Sequence, residues 1–167
     1  MTEVVETHSA AQVAAASARL RAQAPVLTPD VQSRLVRALC EACMHLLGTN
    51  RALGQELRRQ LLASSGLSAE MIEWGLTTTL STVQPHVLDA LAREAAGTPG
   101  LAPVPAKLVA VVLAGNVFSA AVRAMFLPLL SGAPVLVKGA SADSVLPRFL
   151  VRTLRAIDHE IGMRCEL

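Results

Sequence analysis

The residues able to do chemistry cluster just beyond two apolar runs. Lys107-Leu-Val-Ala-Val-Val-Leu113 is followed by Ala114-Gly115-Asn116, and Pro134-Val-Leu-Val-Lys138 by Gly139-Ala140-Ser141. Each run is rich in Val and Leu with no polar alternation, the pattern of a strand buried on both faces. Asn116 offers an amide that can donate to a carbonyl oxygen or an oxyanion. Lys138 offers an ammonium for a ribose or phosphate, and Ser141 adds a hydroxyl three residues on. Gly139 has no Cβ and leaves room for a ligand to approach the backbone. Asn and Gly after a strand are also ordinary turn residues, and a terminal Lys is often merely solvated. The motif alone therefore does not separate a binding site from a turn.

Other reactive types form weaker patterns. Cys40-Glu-Ala-Cys43 with His45 has the look of a redox or metal motif, but it falls inside an amphipathic helical run. It lacks the helix-start placement that lowers a thiol pKa and lacks two further ligands at zinc spacing. Packing is the reading for these thiols. Cys165 has no His or acid at a meaningful spacing, and His8, His86 and His159 have no partner pattern. Neither a G-x-G-x-x-G turn after the first run nor a phosphate loop ending in G-K-[ST] is present, so a nucleotide would not use those cradles.

The elements that would carry these residues follow from periodicity. Residues 1–27 form a polar, Ala-rich arm with a helical stretch over Ser9 to Ala24. Residues 28–96 read as four amphipathic helices. Thr28-Pro29-Asp30 opens the first and Gly48 stops it; Asn50 is expected to cap the second and Ser68 the third. Pro85 separates the third from the fourth. Gly97-Thr-Pro-Gly-Leu-Ala-Pro-Val-Pro105 is a connector. Residues 106–167 then read strand, helix (Phe118 to Leu130, with Gly132 at its C-cap), strand, helix (Ser144 to Ile157). The fold class expected is α/β: a helical N-terminal portion followed by the opening β-α-β-α of a doubly wound, Rossmann-like parallel sheet, incomplete. In such a sheet ligands bind outside the carboxyl ends of the strands, where Asn116 and Lys138 fall.

Composition bounds the partners. The 167 residues are 52% hydrophobic, 17% charged and 2% aromatic, with a net charge of +2. That is too apolar for a disordered chain, and too poor in aromatic rings and basic blocks for nucleic-acid binding. Arg34, Arg37, Arg51, Arg58 and Arg59 read as charges scattered along helices among acids. The longest uncharged stretch, Leu108 to Val122, is 15 residues, short of the ~18 of a membrane span. Met1-Thr-Glu-Val-Val-Glu6 is acidic where a secretion signal is basic, and three cysteines form no framework, so a cytoplasmic setting is expected. A half-sheet leaves an edge and an apolar face uncovered, so a non-monomeric species, whether a homo-oligomer or a complex with a missing C-terminal portion, is expected as well.

The stretch Leu108-Val-Ala-Val-Val-Leu-Ala-Gly-Asn116, a helix, and Leu130-Ser-Gly-Ala-Pro-Val-Leu-Val-Lys-Gly-Ala-Ser141 together resemble the start of the cofactor domain of the aldehyde dehydrogenase superfamily. Ser65-Gly-Leu-Ser-Ala-Glu-Met-Ile-Glu-Trp-Gly75 resembles its acyl-CoA reductase branch, the LuxC-type fatty acyl reductases. The γ-glutamyl phosphate reductase branch is the nearest rival. The resemblance spans residues 28–160 and implies an NAD(P)-dependent reductase acting on an acyl thioester or aldehyde. It implies that Asn116 stabilises the oxyanion of the thiohemiacetal and that Lys138 bonds the adenosine ribose of NADP or NAD. Ser141 falls where many members carry Glu, which leans the cofactor toward NADP. Phe118 and Gly139 depart from the family pattern, each standing where Pro is usual. The resemblance also implies a nucleophilic Cys that matches none of Cys40, Cys43 and Cys165, so this chain alone is expected to be inactive. The alternatives are a non-catalytic α/β module that packs on a partner chain, and an unrelated small α/β binding protein.

Overall fold

A computed structural model describes residues 9–22, 27–95, 106–115, 117–140 and 144–167. The first helix, α1 (Ala10–Ala22), is opened by a capping box in which Ser9 Oγ accepts from the Gln12 amide and Gln12 Oε1 from the Ser9 amide. Next comes α2 (Pro29–Leu47), started by Thr28, whose side chain accepts from the Val31 amide, and by Pro29 in the first turn. Helix α3 (Ala52–Ser64) begins later than expected. Asn50 is not its cap; Arg51 holds that position without a side-chain bond, because Thr49 and Asn50 are taken up by a turn that returns the Arg51 amide to the Gly48 carbonyl. Ser68 does cap α4 (Ala69–Leu80), accepting from the Met71 amide, and Pro85 opens α5 (Pro85–Ala95).

The second half alternates: β1 (Val109–Val112), α6 (Ala120–Leu130), β2 (Val135–Lys138), α7 (Val145–Ile157), the single turn α8 (His159–Gly162) and β3 (Cys165–Glu166). Gly132 follows α6 with φ +88°, the left-handed geometry that ends a helix cheaply only at Gly. The strands form a parallel sheet in the order β1-β2-β3, with Val109 opposite Val135, Val112 opposite Lys138, and Val135 opposite Cys165. The fold is thus α/β with a helical N-terminal portion and a small, incomplete parallel sheet. Its third strand was not foreseen: two residues are too few to show a period.

Both crossovers step the same way across the sheet, so right-handedness places α6 and α7 on one face. Val135, Val137 and Cys165 point into that face and are buried. Helix α2 joins this layer to the rest, touching α3, α4, α5, α6, α7 and α8. Its Leu35, Leu39 and Leu46, together with Leu57, Leu61, Leu76, Leu146, Leu150 and Leu154, form one core continuous with the strands. The opposite face is covered differently. α1 packs on β2 and β3, with Arg19 paired to Glu166, and it does not extend over β1. Ala110 is exposed there and Val112 is 73% exposed. β1 is therefore covered on one face only, where the sequence pattern implied two. Among the described residues no helix is long and apolar enough to cross a membrane.

Candidate functional site

The parallel pairing brings the two strand exits to one edge. Val112 lies opposite Lys138, and the Leu113 amide donates to the Lys138 carbonyl at 3.0 Å. Side chains alternate along a strand, so Lys138 leaves β2 on the face of Leu136 and Val112, past the end of the α1 cover, and is exposed. Ala114 and Gly115 continue the β1 exit in solvent. Asn116 and Ser141, the other two candidates drawn from the sequence, lie outside the described residues.

Two local contacts hold described residues beside these exits. Phe118 is buried against α4: a Cβ on Gly75 would sit 2.8 Å from Phe118 Cζ. The ring ties the residues just before α6 to the helical portion and needs that glycine. Gly139 has a comparable packing reason. A Cβ there would sit 2.7 Å from Ser144 Cβ, so the space expected for a ligand's approach to the backbone is occupied by the start of α7. Ser144 Oγ in turn accepts from Arg148 Nη2 at 2.7 Å.

The thiols do not join the exits. Cys43 and Cys165 are fully buried, and Cys40 is 7% exposed. Burial pushes all three thiols up from the ordinary range, Cys165 to about 12, because the thiolate loses its hydration. His45 pairs with Glu41 along α2, and the described residues hold no cluster of three or more metal-ligating side chains. An open groove of about 580 Å³ lies between α2 and α5, with Arg37, Glu41, Met44, Arg51 and Asp89 among its walls. No residue of the strand exits lines it, and its charges are of both signs.

Sequence reading missed the groups that hold the site's framework in place. Arg58, taken as one of several scattered surface charges, is a part-buried staple. Its guanidinium grips both Glu73 carboxylate oxygens and donates to the Leu46, Leu47 and Gly54 carbonyls. Arg34 similarly ties α2 to Asp158 and Glu160, and Asp158 caps α8 by accepting from the Ile161 amide. The Asp158 cap was legible as an N-cap residue type. The long-range pairs carried no local signal.

Residues 43–165, about three-quarters of the chain, match a family model described as acyl-CoA reductase (LuxC). The match runs from the C-terminal part of α2 to β3 and so includes both strand exits. No curated protein and no solved structure matches the chain.

Proposed function

Because the chain belongs to the acyl-CoA reductase (LuxC) family, we propose that the β1 and β2 exits seat NADP(H) or NAD(H) for reduction of an acyl thioester to an aldehyde. The observation that carries this reading is the register of Val112 with Lys138, which sets a solvent-exposed ammonium beside the open end of the neighbouring parallel strand. That edge is where a doubly wound sheet receives its ligand.

The residues fit an adenosine half of such a cofactor in part. Lys138 would donate to ribose hydroxyls, and Ser141 would add a neutral hydroxyl that does not repel a 2′-phosphate. Gly139 contributes shape through Ser144 and not through open space. When bound, the cofactor supplies the hydride, so that acyl thioester, hydride and one proton give aldehyde and free thiol. Asn116 would donate its side-chain amide to the carbonyl oxygen as charge develops there. Cys40, Cys43 and Cys165 are buried away from the strand exits, which supports assigning this chain the binding half of the chemistry and no turnover by itself. Three free thiols accord with a reducing cytoplasm. The open β1 face accords with a second copy or a completing segment.

Titration with NADPH and with NADH, followed by nicotinamide fluorescence, tests the seat. Saturable binding is expected, weakened about tenfold by Lys138→Ala, the loss of one charge-assisted hydrogen-bond donor. An unchanged affinity in the variant removes Lys138 from the site, and no saturable binding removes the seat. One observation favours a second reading, a module that packs on a partner chain: Val112 is 73% exposed on the part of the sheet face that α1 does not reach. On that reading neither dinucleotide binds.

A further inference from the structure

We propose that Arg148, pinned by Ser144, is the group that selects a dinucleotide carrying a 2′-phosphate; the inference rests on the cofactor seat proposed above. Arg148 lies in the first turn of α7, the helix that follows the β2 exit. Its side chain turns back along the helix, and Nη2 donates to Ser144 Oγ at 2.7 Å. Ser144 in turn packs against Gly139, close enough that a Cβ on that glycine would lie 2.7 Å away. The chain of contacts Gly139–Ser144–Arg148 therefore holds a guanidinium beside the backbone that directly follows Lys138. Lys138 leaves β2 on the α1 face and is exposed, and Arg148 is exposed on the helix that follows the same exit.

The charge around Arg148 is uncommitted. Arg19, Arg34, Arg58 and Arg59 each pair with a carboxylate, and Arg155 is spent on the Cys165 carbonyl. Among the described residues Arg148 makes no ion pair, and the side-chain hydrogen bond it makes there is to a neutral hydroxyl. Residues 135–140 and 144–157 contain no Asp or Glu. A planar, permanently charged fork held by a hydroxyl and left without a carboxylate is suited to bidentate bonding with a phosphate. The ribose 2′-position is where a Rossmann-like site distinguishes its two cofactors, an acid serving the free hydroxyl and an Arg the phosphate. Asp143 is the one acid in the connecting loop and lies outside the described residues.

Equilibrium titrations on the whole chain with 2′,5′-ADP against 5′-ADP, and with NADPH against NADH, test the assignment. Wild-type protein is expected to prefer the ligand with the 2′-phosphate. Arg148→Ala is expected to weaken NADPH and 2′,5′-ADP about tenfold or more while shifting NADH and 5′-ADP far less. Arg148→Lys, keeping the charge without the fork, is expected to fall between. Equal weakening of all four ligands in Arg148→Ala would make the residue a support of the loop and overturn the proposal. So would a wild-type preference for NADH, the signature of Asp143 serving a free ribose hydroxyl. NADH bound by both proteins with no effect of Arg148→Ala on NADPH overturns this inference and leaves the seat standing. Failure of the wild type to bind any of the four overturns the seat and the inference together.

Discussion

Gly54→Ala unfolds at a temperature lower than wild type by roughly 5–15 °C, from a loss of about 2–4 kcal/mol. The cause lies in the corner between α2 and α3. A Cβ on Gly54 would sit 2.2 Å from the Gly48 carbonyl oxygen and 3.0 Å from that of Leu46. Both obstacles are backbone atoms at the end of α2, so no side-chain rotation relieves the overlap. The helices must separate, and separation opens the contact between α2 and α3 around Leu46, Leu57 and Leu61, all fully buried. Thermal unfolding followed by far-ultraviolet circular dichroism measures the shift. A midpoint within 2 °C of wild type would mean that the corner is not as close as described.

Arg58→Met follows in size, at about 2–3 kcal/mol. Met preserves the apolar stem, so the loss reports the guanidinium. In the native corner it bonds the Leu46 and Leu47 carbonyls, two of the acceptors left orphaned at the end of α2, along with the Gly54 carbonyl and the Glu73 carboxylate. Removing it strips partners from three carbonyls and one carboxylate at once. Glu73 is itself half-exposed, so water repays part of the cost and the figure stays below that of a fully buried pair. A pH signature accompanies it. The Arg58 hydrogen bonds hold the Glu73 carboxyl below its ordinary value. The pair's contribution is therefore present above the unfolded carboxyl value and is lost as pH falls through the lower folded one. Chemical denaturation across the acid range should show a steeper decline for wild type than for Arg58→Met. Parallel curves would argue that the pair contributes nothing through its charge. Gly54 and Arg58 both bear on the Leu46 carbonyl in one corner, so the double variant should cost less than the sum.

The helices were legible because their stop and start signals are local. Thr28-Pro29 and Ser68 act within one turn, and Gly132 announces the end of α6 by the only backbone geometry that favours it. The strand exits were legible for a different reason: two Val-rich runs separated by one helix imply a parallel pair, although the register that sets Val112 opposite Lys138 has no signal in either run. What escaped was non-local. Asn50 looked like a cap until the turn beginning at Gly48 claimed it, a turn tightened by the contact with Gly54. The exposure of Val112 depends on how far α1 reaches, which no property of β1 itself encodes. Arg58 and Arg34 read as solvated charges because their carboxylates, Glu73 and Asp158, stand on other helices. Arg148 escaped as well. Its spacing from Ser144 is the ordinary i, i+4 of a helix, and only the packing of Ser144 on Gly139 gives that pair a place beside the exit.

The account turns on a dinucleotide resting at the β1 and β2 exits, and amide hydrogen exchange with and without NADPH examines that most directly. Protection is expected in peptides covering 112–117 and 138–148, with little change in the peptides of α3 and α5. Protection confined to the groove between α2 and α5, or none anywhere at saturating NADPH, would contradict it.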